Sequence, residues 1–151
     1  MNVLKVSYKD INAPKKFTSS LRETGFSILT DHPIDPDLIK KVYKEWSLFF
    51  KDNRKVKYLY DPKNQDGYFP FKSENAKNSS IKDLKEFFHF YPWGKYPKEL
   101  GDRTLSLYSQ LIELSSILLG WIQSQTPKNI RSLFSISLPE MINGTENNLL
   151  R

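Results

Sequence analysis

At 151 residues, with 38% apolar and 14% aromatic side chains, the chain is sized for one folded domain with a core and is too apolar for disorder. Zero cysteines exclude a disulfide framework, a zinc–thiolate site and a thiol nucleophile. The formal charge of +6 comes mostly from lysines spread along the chain, which read as solvated helix faces, because a nucleic-acid patch needs clustering and a base-reading motif.

Met1 to Asp10 lacks the apolar run of a secretory signal, and Val3 to Tyr8 alternates as a short strand. Pro14 opens a helix, since its missing N–H costs nothing in a first turn. Phe17 and Leu21 share a face of that helix, and Gly25 stands where a left-handed residue would stop it. Phe26 to Thr30 follows as a half-buried strand. After the turn at Asp31-His32-Pro33-Ile34, Asp35 and Pro36 mark the next helix start. Ile39, Val42, Trp46 and Phe49 recur along it at three- and four-residue steps, opposite Lys40, Lys41, Lys44 and Glu45.

Asp61 to Gly67 is turn-rich, and Tyr68-Phe69 is a short extended piece stopped by Pro70. Lys72 to Lys82 reads as polar loop. Glu86 to Tyr91 is dense in aromatics and ends at Pro92, which favours a strand. The longest helix starts at Glu99 or Asp102 and runs to about Gln125, with two adjoining apolar stripes through Leu107, Leu111, Leu114, Leu118 and Trp121 and through Leu105, Tyr108, Ile112, Leu119 and Ile122. Burial over so wide an arc predicts the central helix of the domain, dominating its core. Gln110, Glu113 and several serines within it argue against a membrane span, and a soluble cytoplasmic protein is the expectation. Ile130 to Phe134 and Leu138 to Ile142 are short helical turns, Asn143-Gly144 is a loop, and Asn147 to Arg151 looks like the start of a strand.

Few constellations carry chemistry. Gly-x-Ser-x-Gly, a phosphate-cradling glycine loop and a dinucleotide fingerprint are absent. The pairs Asp83 with Glu86 and Glu23 with Asp31 sit among lysines, where nothing desolvates a carboxyl for acid–base work. His32 and His89 are the two histidines, and each reads as an ordinary hydrogen-bonded imidazole. Tyr58, Tyr60, Tyr68, Phe69 and Phe71 read as core and pocket wall in preference to a base-stacking platform.

Several pieces in order resemble the amino-terminal region of the isopenicillin N synthase-like family, the non-haem Fe(II)- and 2-oxoglutarate-dependent oxygenases. These are Gly25-Phe26 to Ile34, Phe49-Phe50 with Lys57, Gly67-Tyr68, and above all Asp83-Leu84-Lys85-Glu86-Phe87-Phe88-His89. Asn147 to Arg151 resembles the lead-in to the family's first catalytic strand. At Asp31-His32-Pro33-Ile34 relatives usually have Asn-His-Gly-Ile, and Pro33 cannot take the positive φ of glycine, so the turn must differ there.

The resemblance implies an α+β fold, with one long central helix and other helices packed with a few short strands. It corresponds to the part of a double-stranded β-helix oxygenase that precedes the barrel, with residues 1–146 as the amino-terminal domain and 147–151 as the start of a truncated catalytic strand. It implies Fe(II) held by two His and one carboxylate, with 2-oxoglutarate met by an Arg-x-Ser. Neither histidine here is followed two residues on by Asp, those places being Ile34 and Tyr91, and no Arg is followed two residues on by Ser. No catalytic, cofactor-binding or metal residue is therefore assigned. The cofactors are expected only with a separate catalytic half, and the chain is expected to be inactive alone.

By position, Tyr68 and Phe69 are the candidate substrate-binding residues. A catalytic half, or self-association through the apolar face of the long helix, is the expected partnership. The alternatives are a non-catalytic interaction protein that keeps the fold and, less favoured, a basic nucleic-acid-binding module.

Overall fold

The computed structural model describes residues 2–143 and 145–151, so the loop expected at Asn143-Gly144 lies, at Gly144, outside the described residues. Short strands and helices alternate, with no closed barrel among the described residues. The chain divides into two compact units, Met1–Asp35 with Ser109–Thr145, and Pro36–Tyr108 with Glu146–Arg151.

In the first unit, β1 (Lys5–Ser7) pairs in parallel with β2 (Ile28–Thr30), matching Val6 to Leu29, and α1 (Ala13–Thr24) connects them. Parallel neighbours need such a crossover, and α1 supplies it. Pro14 stands in its first turn, and Gly25 ends it at φ 78° with its N–H donated to Leu21 O (2.8 Å), as the sequence predicts. Val6, Ala13 and Phe17 form the buried centre, covered by Leu21, Leu29, Leu118, Trp121 and Ile122. The Trp121 ring lies 5.4 Å from Tyr8 and meets Phe17 edge-on at 5.8 Å. Buried Ser20 accepts from Leu4 N (3.0 Å) and donates to Phe26 O (2.6 Å), tying both strand entries to the helix. Phe26 itself is exposed, so only the later part of the predicted strand is covered. The left-handed residue of the following turn is Asp31 (φ 55°), not Pro33. Its carboxylate accepts from Ser7 Oγ (2.6 Å) and Thr30 Oγ1 (3.3 Å), which is how the turn closes without a glycine.

In the second unit, α2 (Pro36–Lys51) buries Val42 and Phe49 and exposes Lys40, Lys41 and Lys44, the predicted amphipathic pattern. A 3-10 helix (Asn53–Tyr58) follows, started by Asp52, whose side chain accepts from Arg54 N. Strands β3 (Gly67–Phe69) and β4 (Phe87–His89) form an antiparallel pair that matches Tyr68 to Phe88. Leu150 forms a further antiparallel bridge with Phe90.

The long helix α3 (Arg103–Gln125) gives its first residues to the second unit and the rest to the first. Only Thr104, Leu107, Tyr108 and Leu114 are buried along it, while Leu105 and Ile117 are exposed. It does not dominate the core as its two stripes predicted, because stripes show which faces are apolar and not whether anything covers them. By length and composition alone α3 is apolar enough to cross a membrane, a test that the core helix of a soluble protein also passes. A single turn, α4 (Lys128–Arg131), and a 3-10 helix (Pro139–Met141) complete the first unit.

Candidate functional site

The densest chemistry lies around the β3–β4 pair of the second unit. Alternation along the two strands sends Tyr68 and Phe88 to one face and Phe69, Phe87 and His89 to the other. On the first face Phe88 packs on Trp46 (4.9 Å) and Phe49 (5.7 Å), and Phe49 also meets Tyr58 and Tyr68. Trp46 Nε1 donates to Thr104 Oγ1 (2.9 Å), so the half-buried indole keeps its hydrogen bond. On the other face Phe69 is stacked between Tyr60 (4.3 Å) and Phe87 (4.6 Å), with the His89 ring 4.5 Å away.

The candidate substrate residues are thus packed inside the unit. Tyr68 is 3% and Phe69 1% exposed, and neither ring turns a free face outward. The Tyr68 hydroxyl donates to Glu86, and Lys55 Nζ donates to the same carboxylate oxygen (2.7 Å) and to Phe50 O (2.6 Å). The Lys55 and Glu86 side chains are 19% and 29% exposed. Burial pushes the Glu86 carboxyl up, but the hydrogen bonds from Lys55 and Tyr68 and the Lys55 charge outweigh it, leaving the group below its ordinary range. The bond to Glu86 holds Lys55 above its ordinary value against burial, and burial followed by Glu86 raises Tyr68.

Sequence reasoning missed this cluster and singled out Lys57, which is exposed; the lysine that reaches back to the Phe49-Phe50 pair is Lys55. One signal for it was present, because an acid next to two buried aromatics, as Glu86 is to Phe87-Phe88, needs a cation nearby.

Two further features fix the strands. Asp66, 3% exposed, accepts from Lys95 N (2.6 Å), while Lys95 Nζ donates to Leu59 O (2.5 Å). Gly67 has φ 105°, and a Cβ there would stand 2.6 Å from Tyr58 O, so the close approach of the two backbones demands glycine.

A shallow pocket beside this cluster is lined by Glu45, Asp52, Arg54, Lys55 and Glu99. Its charges are met internally: Glu45 by Arg103, Asp52 by Arg54 (2.5 Å), Lys55 by Glu86, and Glu99 by the Tyr58 hydroxyl (3.0 Å). Both cations of the pocket are paired with carboxylates, while Glu99 meets a neutral hydroxyl and keeps its charge.

Neither histidine belongs to a metal-binding group among the described residues. The His89 Nδ1 lies 2.9 Å from Gln65 O, and since a carbonyl only accepts, Nδ1 carries the proton. His32 lies in the other unit, and no group of three His, Asp or Glu side chains among the described residues is placed to hold a metal ion.

Comparison with known proteins decides the lineage. Residues 9–110 match the family described as non-haem dioxygenase in morphine synthesis, N-terminal, and so cover more than half of the chain. The chain belongs to this family. No curated protein is significantly similar to it in sequence.

Among solved structures, a Shewanella oneidensis protein that bears a provisional oxygenase assignment is 39% identical with a TM-score of 0.86; the alignment covers 99% of this chain and 52% of that one. A Caulobacter crescentus protein, provisionally of the 2OG-Fe(II) oxygenase family, is 25% identical with a TM-score of 0.67, covering 81% and 48%. A full-length Neurospora crassa protein, crystallised with alpha-KG and thymine, shares the fold at 17% identity and a TM-score of 0.62, covering 80% and 47%. This dioxygenase N-terminal region thus spans about half the length of the solved structures it matches. The arrangement of helices and short strands expected from the resemblance is the one found.

Proposed function

We propose that this chain serves as the amino-terminal part of an Fe(II)- and 2-oxoglutarate-dependent oxygenase, packing against a catalytic half that carries the iron and co-substrate ligands, and that it is inactive alone. The observation that carries the reading is the match to the Shewanella oneidensis protein, which takes in nearly all of this chain and about half of that one. The family match over residues 9–110 and the 2OG-Fe(II) oxygenase name of the Caulobacter crescentus structure support the chemistry. The iron would supply oxygen activation, and no residue of this chain is assigned to hold it. What this chain contributes is a rigid aromatic wall. In that role the Gly67–Phe69 strand borders the substrate pocket, with Tyr68 and Phe69 fixing its inner side through Glu86, Tyr60 and Phe87.

The test joins this chain to the remaining half of the Shewanella oneidensis protein and follows 2-oxoglutarate consumption with added ferrous iron. The joined protein is expected to consume it and the chain alone is not. Turnover by the chain alone, or none by a folded joined protein, overturns the reading.

A further inference from the structure

The pocket beside the Lys55–Glu86 cluster is built wholly within the second unit. One face of α2 supplies Glu45, Leu48 and Phe49 at steps of three and four residues, and Asp52 continues that face just past the helix end. The 3-10 helix that follows adds Arg54 and Lys55, and another (Lys98–Leu100) adds Glu99 and Leu100. Leu48, Phe49 and Leu100 make an apolar floor, in which Leu48 is 59% exposed and the other two are buried. The pocket encloses about 160 Å³, well under the ~300–1,000 Å³ of sites for drug-sized ligands. At about 30 Å³ for each water-sized group, it has room for a ligand of about five heavy atoms.

The charge balance of the lining has a sign. Arg54 closes on Asp52 and Lys55 on Glu86, while Arg103, from outside the pocket, offsets Glu45. Glu99 accepts only from the Tyr58 hydroxyl (3.0 Å), which burial and then Glu99 itself raise, so that it stays a neutral donor. One negative charge is therefore unmatched, and the C-terminal end of α2, negative by its backbone dipole, lies at the same wall. Glu99 spends one carboxylate oxygen on Tyr58, which leaves no two-oxygen face for a guanidinium and suits the point charge of an ammonium. We propose that this pocket binds an alkylammonium group, its amine against Glu99 and its carbon chain on Leu48, Phe49 and Leu100. A free primary amine of about four carbons and the lysine side chain of a partner protein present that same chemistry. The inference is independent of the oxygenase role.

The experiment titrates the 151-residue chain with n-butylamine and with Nα-acetyl-lysine amide, and with n-butanol and butyrate as controls, following the methyl resonances of Leu48 and Leu100. The amine is expected to saturate with a Kd of about 1–10 mM, and added salt to weaken the amine but not the alcohol. Glu99→Gln, which can still accept from Tyr58, is expected to weaken amine binding about fivefold. Leu48→Ser, at an exposed position, is expected to weaken it about threefold with thermal unfolding unchanged. Butyrate or n-butanol binding as tightly as the amine overturns the proposal, as does an unchanged amine affinity in Glu99→Gln or a titration that never saturates. Tighter binding of the lysine amide than of n-butylamine assigns the pocket to a partner's lysine, and equal or weaker binding assigns it to a free amine.

Discussion

Lys55, Tyr68 and Glu86 show how three polar groups are carried into an aromatic interior at tolerable cost, each spending its charge or hydroxyl on another. Because the Glu86 carboxyl is depressed in the fold, it adds stability above its unfolded value of about 4.3 and loses that contribution as pH falls through the lower folded value. Lys55 and Tyr68 are both raised, so their contributions are complete below about pH 10 and are lost as pH rises through the folded values. The cluster is therefore fully stabilising between about pH 5 and pH 10. Glu86→Gln is expected to cost about 1–2 kcal/mol at pH 7, after allowance for partial exposure. That deficit should shrink as pH falls below the unfolded value of about 4.3 and towards the lower folded value, where the native carboxyl takes up its proton. Urea titrations at pH 7 and pH 3 check this, and an unchanged gap would remove Glu86 from the account. At Gly67 the cost is steric: Gly67→Ala should lose about 2 kcal/mol or more, through positive φ and collision with Tyr58 O. Gly25→Ala, positive in φ with open space around it, should lose about 1 kcal/mol, and thermal unfolding of the two variants side by side gives the ranking.

The β3–β4 pair, three residues a strand, is too short to stand by itself and depends on what its two faces touch. Phe69, stacked between Tyr60 and Phe87, should carry much of that dependence: Phe69→Ala is expected to cost about 3–5 kcal/mol in a denaturant titration. Phe71, two residues on and exposed, should cost within about 0.5 kcal/mol when changed to Ala. Comparable losses at the two positions would mean that the stack does not hold the strands. The sequence foretold both strands because Tyr68-Phe69 and Phe87-Phe88 are β-forming residues bounded by Gly67, Pro70 and Pro92. It did not foretell that Phe69 is enclosed on both sides, since stacking partners drawn from residues 60 and 87 meet only through the turns between them.

At the scale of the molecule, a number of large apolar side chains are exposed. In the first unit these include Ile117, Ile130, Leu133, Ile136 and Met141. On the function proposed above they are the surface a catalytic half covers. The chain alone is expected to bind a hydrophobic dye and to self-associate as its concentration rises in sedimentation, and the joined enzyme to bind several-fold less dye. A monomer at all concentrations with no dye binding would refute this.

Local signals decided the elements. Proline at a first turn, glycine at a left-handed stop and apolar residues at steps of three and four act within a few residues of themselves, so α1, α2 and the strand positions were legible in the chain as written. So was the lineage, because the order of short motifs is itself a property of the sequence. Tertiary structure alone decided which lysine meets Glu86, which faces of α3 are covered, and that Tyr68 and Phe69 lie inside. Each of these depends on contacts between residues distant in sequence, and periodicity carries the direction of a side chain but not the identity of what it meets.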